Sequence, residues 1–484
     1  MLLRLRVLQL LALSAFLIGL AAIAMAARTT VLDPDIWWHL KTGDWIVQHH
    51  AVPFNGIFSG TAANRPWIAY SWGYEVMLSR AYAWFGLMGF AWFGVILTML
   101  DGFVLFWMLH RLCGRFWVAW LLSVLGGYAY LFSLNPRPVF VTMIFFSILL
   151  TLLVEAQRSA TLRPLYWLPL LFVLWANIHI QFIYGLATLG LFMGVSLGTR
   201  WIRKLGCKVD FVTSPTLESR GLVAIFAACV AACFVGPYSY HLIQVITTYS
   251  GSQVPYLIIQ ELEALDFKST TEYAILALTA AAFFVLGREK KLDIFRLGLL
   301  MVSSYVAFRT QRDAWFVSIT AAVFLADYFR SGRVKRPVLR IPEAAILVAC
   351  VGLISVLVAD NSRFTLRDLD AAISRQYPVD AANFLRKNPF PGPLYNHLEW
   401  GGFLIWYMPQ YPVTVDGRND LYGDELDMVT YKSVSGESYK TDPYLKRANV
   451  VLLSRTLPLA DLLLIDSDYR VVYRDNVAVV FVRN

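Results

Sequence analysis

Charge is scarce in this chain. Asp, Glu, Lys and Arg make up 15% of its 484 residues, where about a quarter is usual for soluble domains. Apolar residues make up 58% and the mean hydropathy is +0.55. So little charge cannot clothe a water-soluble protein of this length, and the composition implies an integral membrane protein. Cysteine is scarce as well. The five cysteines, Cys113, Cys207, Cys229, Cys233 and Cys350, have no metal-ligand spacing and fall in apolar segments or in loops expected in the cytoplasm. Neither a disulfide framework nor a zinc site is expected, and Cys229 and Cys233 read as small packing groups on one helix face. A glycine-rich phosphate loop is also missing, which leaves a nucleotide-sugar substrate inside the cell unsupported. The net charge is +9. Its Lys and Arg residues are dispersed between apolar segments rather than gathered on one face, so nucleic acid is not an expected partner and bilayer orientation accounts for the excess. No internal repeat or low-complexity segment is visible.

Long apolar runs are abundant. After the basic start from Met1 to Arg6, residues 7–27 are uncharged over a bilayer-spanning length. They end in Ala-Met-Ala-Ala, so a cleavable signal peptide competes with the expected retained helix. Further runs lie near residues 86–109, 116–134, 139–156, 164–178, 180–198, 221–237, 271–287, 293–308, 314–329 and 342–359. The expected fold is mainly α, a polytopic bundle of about eleven spans. With a cytoplasmic N-terminus, the alternate loops on the inner side should be basic. They carry Arg111 and Arg115, then Arg158 and Arg163, then Arg200, Arg203, Lys204, Lys208 and Arg220. Arg288, Lys290, Lys291 and Arg296 follow, and then Arg330, Arg333, Lys335, Arg336 and Arg340. An odd number of spans puts everything after about Asp360 outside.

The chain therefore divides into a membrane domain, residues 1–360, and an extracytoplasmic α/β domain, residues 361–484. In the latter, residues 379–387 predict a helix, 412–415 and 450–453 predict strands, and 470–473 with 477–482 predict a hairpin around Asp475-Asn476.

The long first outer loop, residues 28–84, carries the most pointed chemistry. It opens with Asp33-Pro34-Asp35-Ile36-Trp37-Trp38-His39, where a chain leaving a membrane meets water, and carboxylates there are costly without a use. Residues 36–47 predict an amphipathic interfacial helix with Trp37, Trp38 and Trp45 as anchors. Asp33 as a helix cap and Asp35 in the first turn is the plain alternative. The same loop adds His39, Lys41, Asp44, His49, His50, Arg65 and Glu75, more polar groups than capping requires.

The order Asp33-Pro34-Asp35-Ile36-Trp37-Trp38-His39, Thr42-Gly43-Asp44-Trp45-Ile46, Pro53, Phe58-Ser59, Arg65-Pro66-Trp67 and Trp72 to Glu75 resembles the first outer loop of GT-C membrane glycosyltransferases. It is most similar to bacterial members that use polyprenyl-phosphate sugars, the mannosyl and aminoarabinose transferases. That resemblance implies sugar transfer from a polyprenyl-phosphate donor to a glycan, lipid or protein acceptor outside the cytoplasmic (inner) membrane. It also implies a first-loop acid, Asp33 or Asp35, as general base or as ligand of a divalent cation such as Mg or Mn. Pro34 departs from the Asp-Asp or Asp-Glu pairs of many relatives, and Glu75 is a further candidate carboxylate.

A donor phosphate needs cations. Arg137, Arg309 and Arg312 lie at outer ends of spans, and the planar guanidinium fork suits phosphate. Asn177 and His179 form a second polar knot with Gln181 on the same side, and the segment 236–272 with Glu261 is expected to close over the same cleft. In the tail, the stretches 395–403 and 415–423 combine aromatic, amide and acidic residues. They read either as a sugar-binding surface or as a turn core with Asp416 and Arg418 paired, the glycines Gly401, Gly402 and Gly417 marking tight turns. Readings from other classes are a flippase, a polymerase or ligase, or a noncatalytic partner in envelope polysaccharide assembly. A flippase calls for ionisable groups in mid-membrane, where Asp101 is the exception in nearly uncharged spans.

Overall fold

The structure is a computed structural model that describes residues 2–129, 137–205, 212–213, 217–331, 341–362 and 364–484. Asn135, Pro136, Cys207, Lys208, Arg333, Lys335, Arg336 and Arg340 lie outside the described residues. The chain forms two compact units. One comprises Met1–Ala27, Gly94–Ser239 and Glu261–Ser362; the other comprises Arg28–Phe93, Tyr240–Gln260 and Arg363–Asn484.

The apolar runs are mainly helical among the described residues. Among the described residues, five helices are long and apolar enough to cross a membrane: Arg4–Leu32, Trp72–Cys113, Val139–Ser159, Phe182–Lys204 and Thr270–Gly287. Shorter apolar helices include Phe116–Ala129, Arg163–Ala176, Ser219–Ala232 and Glu343–Ala359. Trp72–Cys113 bends at Gly86, where φ is 60°. Local signals set several starts. Ser269 and Glu272 form a capping box on Thr270–Gly287, and Asp293 accepts the Arg296 amide at 3.0 Å at the head of Ile294–Arg309.

The first unit is a helical bundle around Ala314–Tyr328. That helix is apolar on all sides and buried from Ala314 to Ala326, as expected of a helix ringed by others. Phe116–Ala129, Val139–Ser159, Thr270–Gly287 and Ile294–Arg309 pack around it. Charges collect at the ends of these helices. Asp327 holds both Arg158 and Arg296 at one end. Arg137 and Arg312 lie at the opposite ends of the same helices, because Arg137 precedes Val139 and Arg312 precedes Ala314.

The second unit contains a four-stranded sheet in the order Leu394–Asn396, Val450–Ser454, Ala478–Arg483, Tyr469–Arg474. The first pair is parallel and the rest are antiparallel. The hairpin falls where the sequence predicts it, and Asp475 closes it by accepting from Val477 N and Ala478 N, both at 2.7 Å. The helix Val379–Lys387 also matches. Residues 412–415 are not a strand: Val413 makes only an isolated bridge to Ser59. The Asn396 side chain takes their backbone instead, accepting from Thr414 N and donating to Val415 O, each at 2.8 Å.

The helix Ile36–His49 forms as expected, but Trp37 and Trp38 are not interfacial anchors. Trp37 is fully buried, with Phe90, Tyr377, Phe403 and Trp406 around it at centroid distances of 4.5 to 6.0 Å. Helix Leu398–Tyr407 packs against this helix. Gly401 and Gly402 sit inside it rather than in turns, because a methyl group there would overlap Val415 O or Pro34 O.

Candidate active site

The Asp33-Pro34-Asp35 turn is held from within. Asp33, 3% exposed, accepts the Asp35 amide on Oδ1 at 2.8 Å, the bond of an Asx turn, and proline fixes the backbone between them. Asp35 takes the N-cap position of Ile36–His49, yet its carboxylate makes no capping bond. Its Oδ1 accepts from the Trp38 indole N–H at 3.2 Å. The two acids thus differ in kind. Asp33 shapes the turn from a buried position, while Asp35 is half-buried and carries its carboxylate at the head of the helix.

The tail completes this setting. Gly417 lies so close to Asp35 that a methyl group on it would overlap Asp35 Oδ1. Its neighbours form the pair expected in the turn: Arg418 donates from Nε to Asp416 Oδ1 and from Nη2 to Oδ2, both at 2.7 Å. Arg418 also donates to Ile57 O at 2.9 Å, and its guanidinium lies 4.7 Å from the Trp67 ring centroid. Tyr422 donates to Asp416 Oδ2 at 2.5 Å. Burial works against the Arg418 charge, but Asp416 outweighs it and holds the proton above its ordinary value. This fork fixes the backbone beside Gly417.

Glu75 is fully buried and meets His39 Nδ1 at 2.9 Å across the two helices. Its other oxygen has no hydrogen-bond partner among the described residues. Lys41 is half-buried on the same helix as His39.

The remaining candidates lie in the first unit. Glu261 accepts from Arg137 at 2.6 Å, with Arg312 at 4.0 Å. Burial raises the Glu261 carboxyl, but Arg137 and then Arg312 overcome it and hold it below its ordinary value. Gln311 N bonds to Glu263 O at 2.9 Å and Leu265 N to Phe308 O at 3.2 Å, which ties the Glu261 segment to the Arg312 turn. Arg309 is exposed at the end of its helix. His179 is buried, with Nδ1 2.9 Å from Thr142 Oγ1, which also accepts from Trp175 Nε1 at 2.8 Å. Burial and then Arg312 lower the His179 pKa to about 3, so the ring is neutral. Gln181, Tyr184 and Thr310 donate to Asp313 at 2.8 to 3.0 Å. Asn177 bonds the carbonyls of Val173 and Val235, both at 2.7 Å.

Of three acids in the tail, Asp420 lies in the stretch 415–423 singled out from the sequence, while Asp424 and Asp427 lie beyond it. Burial pushes Asp420 up to about 7 against the pull of Arg418. Burial, reinforced by Asp416, Asp424 and Asp420, pushes Asp427 up to about 8. Their recurrence every three or four residues is the available signal. Among the described residues, no three His, Cys, Asp or Glu side chains are gathered closely enough to hold a metal ion.

No family model matches the sequence, and no curated protein matches it either. Solved structures do. The oligosaccharyltransferase of Archaeoglobus fulgidus tethered to an acceptor peptide aligns with a TM-score of 0.54 at 11% identity, covering 91% of this chain and 69% of that one. Its apo form gives 0.56 over the same shares. At this identity the likeness shows a shared fold, a mainly helical polytopic membrane architecture. ArnT from Cupriavidus metallidurans bound to undecaprenyl phosphate aligns at a TM-score of 0.46 and 14% identity, covering 96% of this chain and 97% of that one. Among the described residues, the acidic turn belongs to the second unit and the arginine pair to the first.

Proposed function

We propose that this chain is an inverting membrane glycosyltransferase that moves a sugar from a polyprenyl-phosphate donor to an acceptor hydroxyl on the outer side of the cytoplasmic membrane. The observation that carries the reading is the mounting of Asp35. One carboxylate is braced by Trp38 and Gly417, while Asp33 is spent on shaping the turn beneath it. A positioned carboxylate with no capping duty suits a general base.

In this reading Asp35 takes the acceptor hydroxyl proton as that oxygen attacks the anomeric carbon. The carbon–oxygen bond to the carrier phosphate breaks, and the phosphate leaves with the electron pair. In the first unit, Arg137, Arg309 and Arg312 are proposed as cations for a donor phosphate, with Glu261 setting the pose of Arg137 and Arg312. Asn177, His179, His39 and Lys41 are assigned supporting roles, and Glu75 holds His39. Asp33 and Asp35 alone do not make a metal centre, so no step is routed through Mg2+ or Mn2+. The chain works in a membrane of lipids, with residues 361–484 placed outside.

The test is incubation of purified protein with a panel of polyprenyl-phosphate sugars, scoring donor hydrolysis or transfer. Turnover that survives EDTA and is lost in Asp35→Asn supports the base assignment. Loss in EDTA with rescue by Mn2+ moves the role to a cation. An empty panel favours the noncatalytic and transport readings.

A further inference from the structure

A cavity of about 210 Å3 lies within the second unit, away from the Asp35 carboxylate in sequence but built on the same tail turn. One wall is Tyr249, Ser252 and Pro255; the other is Asn419, Asp420 and Gly423. The walls are locked together. Asp424 accepts from Ser252 Oγ, from Gln253 N at 2.8 Å and from Val254 N at 3.4 Å, so its carboxylate is committed to the loop. Tyr249 is anchored through its hydroxyl to Tyr70 at 2.9 Å. Gly423 interrupts the helix with φ 73° and ψ 164°, although a methyl group there would meet nothing within 4 Å. Its glycine is needed for backbone shape, which turns Asn419 and Asp420 out of line with the rest of the helix.

The lining has acceptors to spare. Asn419 Oδ1 is buried with no hydrogen-bond partner among the described residues. Asp427, on the same helix but outside the cavity lining, is 2% exposed and neither carboxylate oxygen has a partner among the described residues. Buried acceptors left unpaired are costly, so the cavity suits an occupant rich in donors. Tyr249 and Pro255 add an apolar wall. A small space with one apolar wall and several acceptors matches a sugar ring, which presents hydroxyls at its rim and C–H bonds on its face.

We propose that this cavity binds a sugar ring of the acceptor, with Asn419 and Asp420 accepting from its hydroxyls and Tyr249 supplying the apolar wall. The term acceptor rests on the glycosyltransferase reading. Asp424 keeps its negative charge and Asp420 carries part of one, and among the described residues no cation lines the cavity, which favours the phosphate-free substrate over a phosphate. Because Asp420 sits near 7, it is present in both forms at neutral pH and can donate to a sugar oxygen as well as accept.

The experiment is saturation-transfer NMR on purified full-length protein in detergent, with a panel of methyl glycosides as probes. Thr248 is an exposed residue of the cavity rim, so Thr248→Trp fills the space without disturbing the core. At least one glycoside is expected to bind, to be lost in Thr248→Trp, and to weaken at least tenfold in Asp420→Ala. Binding should persist in Asp35→Asn. No binding across the panel, or binding unchanged by Thr248→Trp, overturns the proposal. A protein that transfers sugar yet binds no glycoside refutes this inference alone. Glycoside binding blocked by Thr248→Trp, with no donor turned over, supports the cavity and refutes the glycosyltransferase reading.

Discussion

Gly417 is the residue on which the Asp35 geometry is most sensitive to change. A methyl group there overlaps Asp35 Oδ1, while the Asp416–Arg418 fork prevents the backbone from yielding. Gly417→Ala should therefore displace the carboxylate and lower transfer at least tenfold, read as kcat, while the purified protein remains monodisperse. Asp427 gives a second test. Its carboxyl is raised to about 8 from an ordinary 3.8. The folded chain thus binds this proton more tightly than the unfolded one, so the stabilisation is complete below about pH 4 and fades as pH rises through about 8. Asp427→Asn should raise the Tm at pH 8 to 9 and flatten its fall between pH 5 and 8. An unchanged pH profile would contradict the assignment. At this scale the sequence was legible where charge is out of place. Asp33 and Asp35 stand out at an apolar border, and Asp416 and Arg418 pair two residues apart. Asp427 did not stand out, because its state is set by burial and by charges that only the fold brings near it, Arg65 among them.

Among the elements, Asn396 joins the sheet to the turn that carries Gly417. Its amide bonds Thr414 N and Val415 O from a buried position, each at 2.8 Å. Asn396→Ala leaves both groups unpaired, which should cost roughly 2 to 6 kcal/mol at about 1 to 3 kcal/mol for each buried polar group. A thermal scan in detergent should show a lower Tm, with activity falling alongside. The hairpin and the helix Val379–Lys387 were readable because alternation, turn residues and period lie within one stretch. The strand Leu394–Asn396 was not, since three residues hold too little alternation, and its pairing with Val450–Leu452 is set across the chain. Residues 412–415 have the apolar alternation of a strand, but a side chain claims their backbone. Likewise, the Trp pair of Ile36–His49 has interfacial composition, yet residues 90 and 377–406 bury Trp37.

In the whole molecule, the helical character was legible from apolar run lengths, and among the described residues the runs are mainly helical, with five helices long and apolar enough to cross a membrane. The opposed clusters of the first unit sharpen the topological expectation. Arg158, Arg296 and Asp327 occupy one end of shared helices, and Arg137, Glu261 and Arg312 occupy the other. Cysteines introduced at exposed Arg288 and Arg309 should therefore label from opposite faces of sealed vesicles, Arg309→Cys from the side facing away from the cytoplasm. Labelling of both from one face would contradict the assigned orientation. The central claim is that a braced Asp35 removes the acceptor proton. Its most direct measurement is transfer from a polyprenyl-phosphate sugar by purified wild-type, Asp35→Asn and Asp33→Asn proteins, each checked for donor binding. The account predicts that Asp35→Asn binds donor but loses at least a thousandfold in kcat, while Asp33→Asn keeps measurable turnover. Full activity in Asp35→Asn would contradict it.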